Sequence, residues 1–289
     1  MDEIKKDEYV IKPCTTCMNP VSNIDIERIR KRFDKLLDEK DFDGAEELLN
    51  YWIKEAITSG DFRNELALQN EYIGFLRKQG RKDDAILHSN RCSELIDELS
   101  LGKTISGATI YLNIATVYKA FGKPNQAISY FTKAKQVYDD NLEKDDKLFA
   151  GLYNNMALAL VDLEQYDAAY NLYNAAISIM NANENGELDA AISHLNLADL
   201  LYKKYKVDPS DDYNKYGDDI EKNCLLAWEL LNKKSIPHDD YYRFVCEKCA
   251  PTFGFYGWID VDILDFKTIA TTRNHRGKII ALDIDSINK

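Results

Sequence analysis

Cysteine is the residue type best placed to do chemistry in this sequence. Six are present, four of them in two Cys-x-x-Cys pairs, Cys14/Cys17 and Cys246/Cys249. Four thiolates complete a tetrahedral zinc site, so these four are the metal-ligand candidates. A redox Cys-x-x-Cys opens a helix after a strand, and no strand–helix alternation surrounds either pair. The four histidines, His88, His194, His238 and His275, stand far apart and show no His-Glu-x-x-His spacing. There is no GxxxxGK[ST] phosphate loop, no GxGxxG and no GxSxG. The acid pairs Asp211-Asp212 and Asp239-Asp240 sit side by side in loops or helix caps. Neither a catalytic group nor a cofactor is expected, and the chain reads as a non-enzyme.

The elements that would carry these residues are paired helices. Ala108 to Asp140 holds two, joined at Phe121-Gly122-Lys123-Pro124, where Gly ends one helix and Pro opens the next. Tyr111, Ile114, Ala115 and Tyr118, then Ala127, Phe131 and Ala134, recur at gaps of three and four, one face of each helix. The pattern returns 42 residues later at Tyr153, Met156, Ala157, Leu160, Ala169, Tyr173 and Ala176. An earlier copy has Ile73, Leu76, Gly80, Ala85 and Cys92, and a weaker one Phe33, Leu36, Ala45, Leu49 and Trp52. A fifth starts at Leu195-Asn196-Leu197-Ala198 and ends on Cys224, Trp228 and Leu231. These positions resemble the tetratricopeptide repeat (TPR), in a long form of about 42 residues similar to kinesin light chains and bacterial receptors for signalling peptides. The resemblance implies an all-α, right-handed superhelical solenoid of five to six helix pairs with degenerate capping repeats.

TPR superhelices line their concave surface with the first helix of each pair. Asn113, Asn155 and Asn196 hold matching places there (LNIA, NNMA, LNLA), with Asn70 one residue early and Asn154 alongside. An amide carries both a donor and an acceptor, so a ladder of them matches a peptide backbone. The expected peptide-binding groove is Asn70, Arg77, Thr109, Asn113, Thr116, Asn154, Asn155, Asn196 and Lys203, with Lys78 and His194 nearby. The plainer alternative is that the asparagines bond neighbouring helices or water. The Lys/Asn/Arg set of chaperone-tail-binding TPRs is not reproduced at its usual positions.

Charge narrows the partners. With 37 Lys+Arg against 49 Asp+Glu the net charge is −12, which disfavours nucleic acid and anionic lipid. No apolar run is long enough to span a bilayer, and MDEIKKDEY does not resemble a signal peptide. A cytoplasmic, bacterial interaction protein is expected, partnered by a protein or peptide. Zinc or redox sensing through the Cys-x-x-Cys motifs is one alternative, and a regulatory subunit of an enzyme another. The expected layout is an extended arm over 1–23, repeats at about 25–58, 62–99, 106–140, 145–181, 188–233 and 238–273, and a tail over 274–289. The 206–217 segment reads as a loop insertion short of apolar anchors. In the sixth pair, Cys246 and Cys249 fall at helix-facing positions, Pro251 kinks the helix, and Phe266 and Ile269 mark the second helix. The two Cys-x-x-Cys pairs then lie at opposite ends of a stack, tens of ångströms apart. Phe253, Phe255, Tyr256 and Trp258 suggest a homodimer through the C-terminal end.

Overall fold

A computed structural model describes residues 24–207 and 213–257, with the backbone of 270–273 and 279–282. Contacts divide the chain into two compact units, 1–141 and 142–289. The first contains α1 (Ile26–Asp38), α2 (Phe42–Ser59), α3 (Phe62–Lys78), α4 (Lys82–Glu98), α5 (Ile105–Ala120) and α6 (Pro124–Asn141). The second contains α7 (Lys147–Asp162), α8 (Tyr166–Ala182), α9 (Glu187–Val207), α10 (Tyr213–Leu231) and α11 (Asp240–Phe255). A two-stranded antiparallel hairpin follows, β1 (Ala270–Arg273) on β2 (Ile279–Leu282), with Ala270 opposite Leu282. Residue 270–273 backbone is therefore strand, not the end of a sixth helix pair. Phe266 and Ile269 lie outside the described residues, as do Cys14, Cys17, His275 and Trp258.

Each unit is a run of antiparallel helix pairs, the stacking of a TPR solenoid. Consecutive helices pack on one another from α1 to α6 in one unit and from α7 to α10 in the other, and first helices also touch: α1 on α3 and α3 on α5 in one unit, α7 on α9 in the other. The reason is side-chain size. Ala45, Ala85, Ala127, Ala169 and Cys224 hold the same place in successive second helices and are all fully buried, so backbones approach closely where they stand. Large side chains fill the space beside them: Phe131 and Tyr138 in α6, Tyr173 in α8, Trp228 in α10.

One backbone device ends α1, α3, α5 and α7. Lys40, Gly80, Gly122 and Glu164 adopt left-handed conformations, with φ of 58°, 71°, 69° and 59°. The next amide reaches back to close the helix: Asp41, Arg81, Lys123 and Gln165 donate to the carbonyls of Leu36, Leu76, Tyr118 and Leu160 at 2.9–3.0 Å. This is the Schellman closure. Two of the four sites use a side-chain-bearing residue where glycine would be unstrained. Start signals are equally local: Asp25, Asp41, Asp61, Thr104, Asp146 and Asp239 cap helices by accepting a backbone N–H.

The expected insertion is shorter than its sequence suggests. α10 begins at Tyr213, and its Tyr216 is buried with its ring 6.3 Å from Tyr205. That tyrosine is the apolar anchor that converts part of the segment into helix. The core of the second unit then joins three helices: Leu195 and Ala198 of α9, Cys224 and Trp228 of α10, Val245, Cys249 and Phe253 of α11.

Candidate functional site

The asparagines do bridge first helices, in pairs. In the first unit the Asn113 side chain donates through Nδ2 to Asn70 Oδ1 at 2.9 Å, tying α5 to α3. In the second, Asn196 Nδ2 donates to Asn154 Oδ1 at 3.2 Å, and Ser193 Oγ donates to the same oxygen at 3.1 Å. Asn154, not Asn155, is thus the register partner of Asn196. Asn155 instead bonds the Gly151 carbonyl of its own helix at 2.9 Å. One residue along a helix turns a side chain by about 100°, so a shift of one in alignment selects a different face.

Each bond fixes which way its amides point. Asn70 and Asn154 spend their carbonyls, which leaves their NH2 groups. Asn113 and Asn196 spend an N–H, which leaves their carbonyls. No buried side-chain polar atom among the described residues lacks a partner, so these remaining groups open to solvent. Around them the other expected groove residues are spread unevenly. Thr109 and Thr116 turn their hydroxyls onto their own helix, at the Ile105 and Asn113 carbonyls. Arg77 is half-buried in the last turn of α3, and Lys78 is exposed.

In the second unit, Asn196 and Lys203 enter a cleft of about 350 Å3. They lie seven residues apart on one face of α9, with Asp199 and Leu200 between. Leu158 and Val161 of α7, Tyr173 of α8 and Pro251, Thr252 and Phe255 of α11 complete the walls. α11 is brought there because it packs on α9. Pro251 lacks the N–H that would otherwise bond the Glu247 carbonyl, yet α11 runs through it without a break, and the proline stands in the cleft wall.

Asp199 is the charged centre of this cleft. Tyr256 donates its hydroxyl to Asp199 Oδ1 at 3.0 Å. Burial raises the Asp199 pKa above the usual carboxylate value, against the pull of Tyr256, Lys203 and Thr252. Tyr256 is pushed up by its own burial and by the Asp199 charge. Beside it stands an aromatic group: Tyr202 meets Phe255 edge-on at 5.2 Å and Tyr256 at 6.3 Å, with Lys206 Nζ 5.4 Å from the Tyr202 ring centre. Sequence reasoning found Asn196 and Lys203 and missed Asp199. The available signal was an acid three residues after Asn196 inside the apolar run Ala198-Asp199-Leu200-Leu201.

Several other candidates are placed elsewhere. His194 does not face a groove: it is buried, with Nδ1 2.8 Å from Asn223 Oδ1. Asn223 gives its own Nδ2 to the Asp219 carbonyl at 2.8 Å, so its Oδ1 must accept and His194 Nδ1 carries the proton. Phe253 is a core residue, 5.6 Å from Trp228 ring to ring, and cannot serve a dimer face. Cys92 and Cys224 are fully buried. Burial pushes the Cys246 and Cys249 thiols up to about 11 and about 12, so both stay protonated near neutral pH. Among the described residues, no three His, Cys, Asp or Glu side chains gather where they could hold a metal ion. Nor is any described helix long and apolar enough to cross a membrane.

The comparisons agree with this architecture. Residues 64–140 and 150–183 match tetratricopeptide-repeat profiles, so these segments are tetratricopeptide repeats. Among solved structures, BtubC (BKLC) from P. vanneervenii is similar over 73% of this chain and 83% of its own, at 20% identity and a TM-score of 0.61. A Podosopora anserina kinesin-light-chain-type protein with nearly identical TPR-like repeats is similar over 72% and 97%, at 14% identity and a TM-score of 0.58. Likeness that remote is likeness of fold. No curated protein matches the sequence. Tetratricopeptide repeats are protein–protein interaction scaffolds, and that much holds for this chain.

Proposed function

We propose that the chain binds an extended peptide or partner segment along the asparagine-bearing faces of its first helices. The observation that carries this is the paired amide geometry. Asn70–Asn113 and Asn154–Asn196 are each locked by a side-chain bond, so the outward donors and acceptors are oriented before any ligand arrives. Pre-orientation lowers the entropy lost on binding, and a peptide backbone offers the complementary groups. In the second unit, the cleft beside Asn196 adds a receptacle for a side chain.

Selection of random peptides on the full chain tests this reading. Selected peptides are expected to lose about tenfold or more in affinity on Asn154→Ala with Asn196→Ala, since each lost hydrogen bond is worth about 1 kcal/mol. Urea unfolding of the double variant checks that the fold persists. Recovery of no peptide, or affinity unchanged in the variant, would overturn the proposal.

A further inference from the structure

We infer that the cleft between α9 and α11 is a socket for an arginine side chain of the bound segment, its guanidinium held between Asp199 and Asn196. This rests on the peptide-binding reading and names the residue type that the site would select.

The floor of the cleft is incomplete without a ligand. Tyr173 is only 1% exposed, yet its hydroxyl makes no hydrogen bond among the described residues. Because no fully buried polar atom there lacks a partner, that hydroxyl opens into the cleft that the residue lines. The charges acting on it are the carboxylates of Asp199 and Asp162. A cation or a donor is therefore favoured at this depth, and a carboxylate is repelled.

The acceptors fit a planar fork of donors. Asp199 has room for about four hydrogen bonds, and Tyr256, the residue that caps α11, supplies one. Thr252 of α11 acts on the same carboxyl, so the side of the carboxyl that faces α11 is the one occupied. Asn196 has its NH2 turned toward Asn154, which leaves its carbonyl as the outward group. Guanidinium supplies five N–H donors in fixed geometry, enough for Asp199, Asn196 and the Tyr173 oxygen together. A lysine ammonium supplies three from a single point. The three methylenes of arginine would lie against Leu158, Val161 and Leu200, and exposed Phe255 offers a ring at the rim for stacking. Lys203, exposed at the mouth and acting on Asp199 through its charge, is the chain's own competitor. It lowers affinity for a second cation, so removing it should tighten binding.

The test uses Nα-acetyl-arginine N-methylamide titrated into the full chain, with the methyl resonances of Leu158, Val161 and Leu200 as readout. Saturable shifts are expected, weaker for the lysine analogue and absent for the norleucine and glutamate analogues. Asp199→Asn should weaken binding by about tenfold or more, the range for a hydrogen bond to a charged group. It keeps an acceptor for Tyr256, and urea unfolding checks its fold. Lys203→Ala should strengthen binding about two- to threefold, as expected for a lost exposed like-charge contact. Equal binding by Asp199→Asn, preference for the glutamate analogue, or no saturable shift with arginine would each overturn the socket. The peptide selection separates this outcome from the broader reading. Selected peptides that need Asn154 and Asn196 but lack arginine dependence would sink the socket and leave the groove. Arginine binding lost on Asp199→Asn, with no peptide recovered, would do the reverse.

Discussion

Glu65 is fully buried in α3, and its carboxylate is held by one residue of the facing helix. Arg91 Nε and Nη2 donate to its two oxygens at 2.8 and 3.0 Å, a bidentate pair joining α3 to α4. Arg91 also reaches Glu94 at 3.2 Å and Glu98 at 3.1 Å. Those two acids are 61% and 43% exposed, so solvent screens their contribution to a few tenths of a kcal/mol each. The Glu65 side chain is 1% exposed and the Arg91 side chain 30%, which puts the pair near the lower end of the range for breaking a buried ion pair. Arg91→Met should therefore cost about 3 kcal/mol, mostly because the Glu65 carboxylate stays buried without a partner. Glu65→Leu together with Arg91→Met removes that penalty and should recover most of the loss. Urea unfolding of the four proteins of this cycle, read with hydrogen exchange at α3 and α4 amides, gives the coupling directly. A coupling near 2–3 kcal/mol is expected on the same ground. A double variant as destabilised as the sum of the singles would refute the reasoning.

The left-handed turn positions make a second expectation. Glu164→Gly and Lys40→Gly should each leave stability unchanged or raise it by up to about 1 kcal/mol, strain relief being partly offset by unfolded-state entropy, while Gly122→Ala should cost about 1–2 kcal/mol. Urea midpoints at constant slope report this. Stability should also fall as pH drops from 7 toward 5.5. Burial lowers the pKa of His88 and of His194 from 6.5, so the unfolded chain takes up protons there before the folded one does. Asp199, raised above 3.8, acts in the opposite sense at lower pH. His88→Gln with His194→Gln should flatten the slope of unfolding free energy between pH 7 and 5.5.

The helix pairs could be read from the chain because their determinants are local. Small residues at fixed intervals, capping acids and the turn at Gly122 each act within one or two turns of helix. Lys40 and Glu164 look like departures in sequence, yet the chain adopts the glycine conformation there because the amides of Asp41 and Gln165 need it to close the preceding helix. The asparagine pairs were half legible. Their recurrence was visible, but the choice of Asn154 over Asn155 depends on how α7 is rotated against α9. The cleft was least legible, because Thr252 and Phe255 meet Asp199 and Tyr202 only after α11 packs on α9. No periodicity within one helix encodes which distant helix crosses it.

The most direct measurement is of the asparagine amides themselves. Side-chain amide resonances of the full chain can be followed while a peptide selected on it is titrated. Those of Asn154 and Asn196, or of Asn70 and Asn113, should shift saturably, while Asn174, which is exposed on α8 and bonded to the Tyr170 carbonyl, should stay unchanged. Saturable binding that moves Asn174 and leaves both bridging pairs in place would contradict the account.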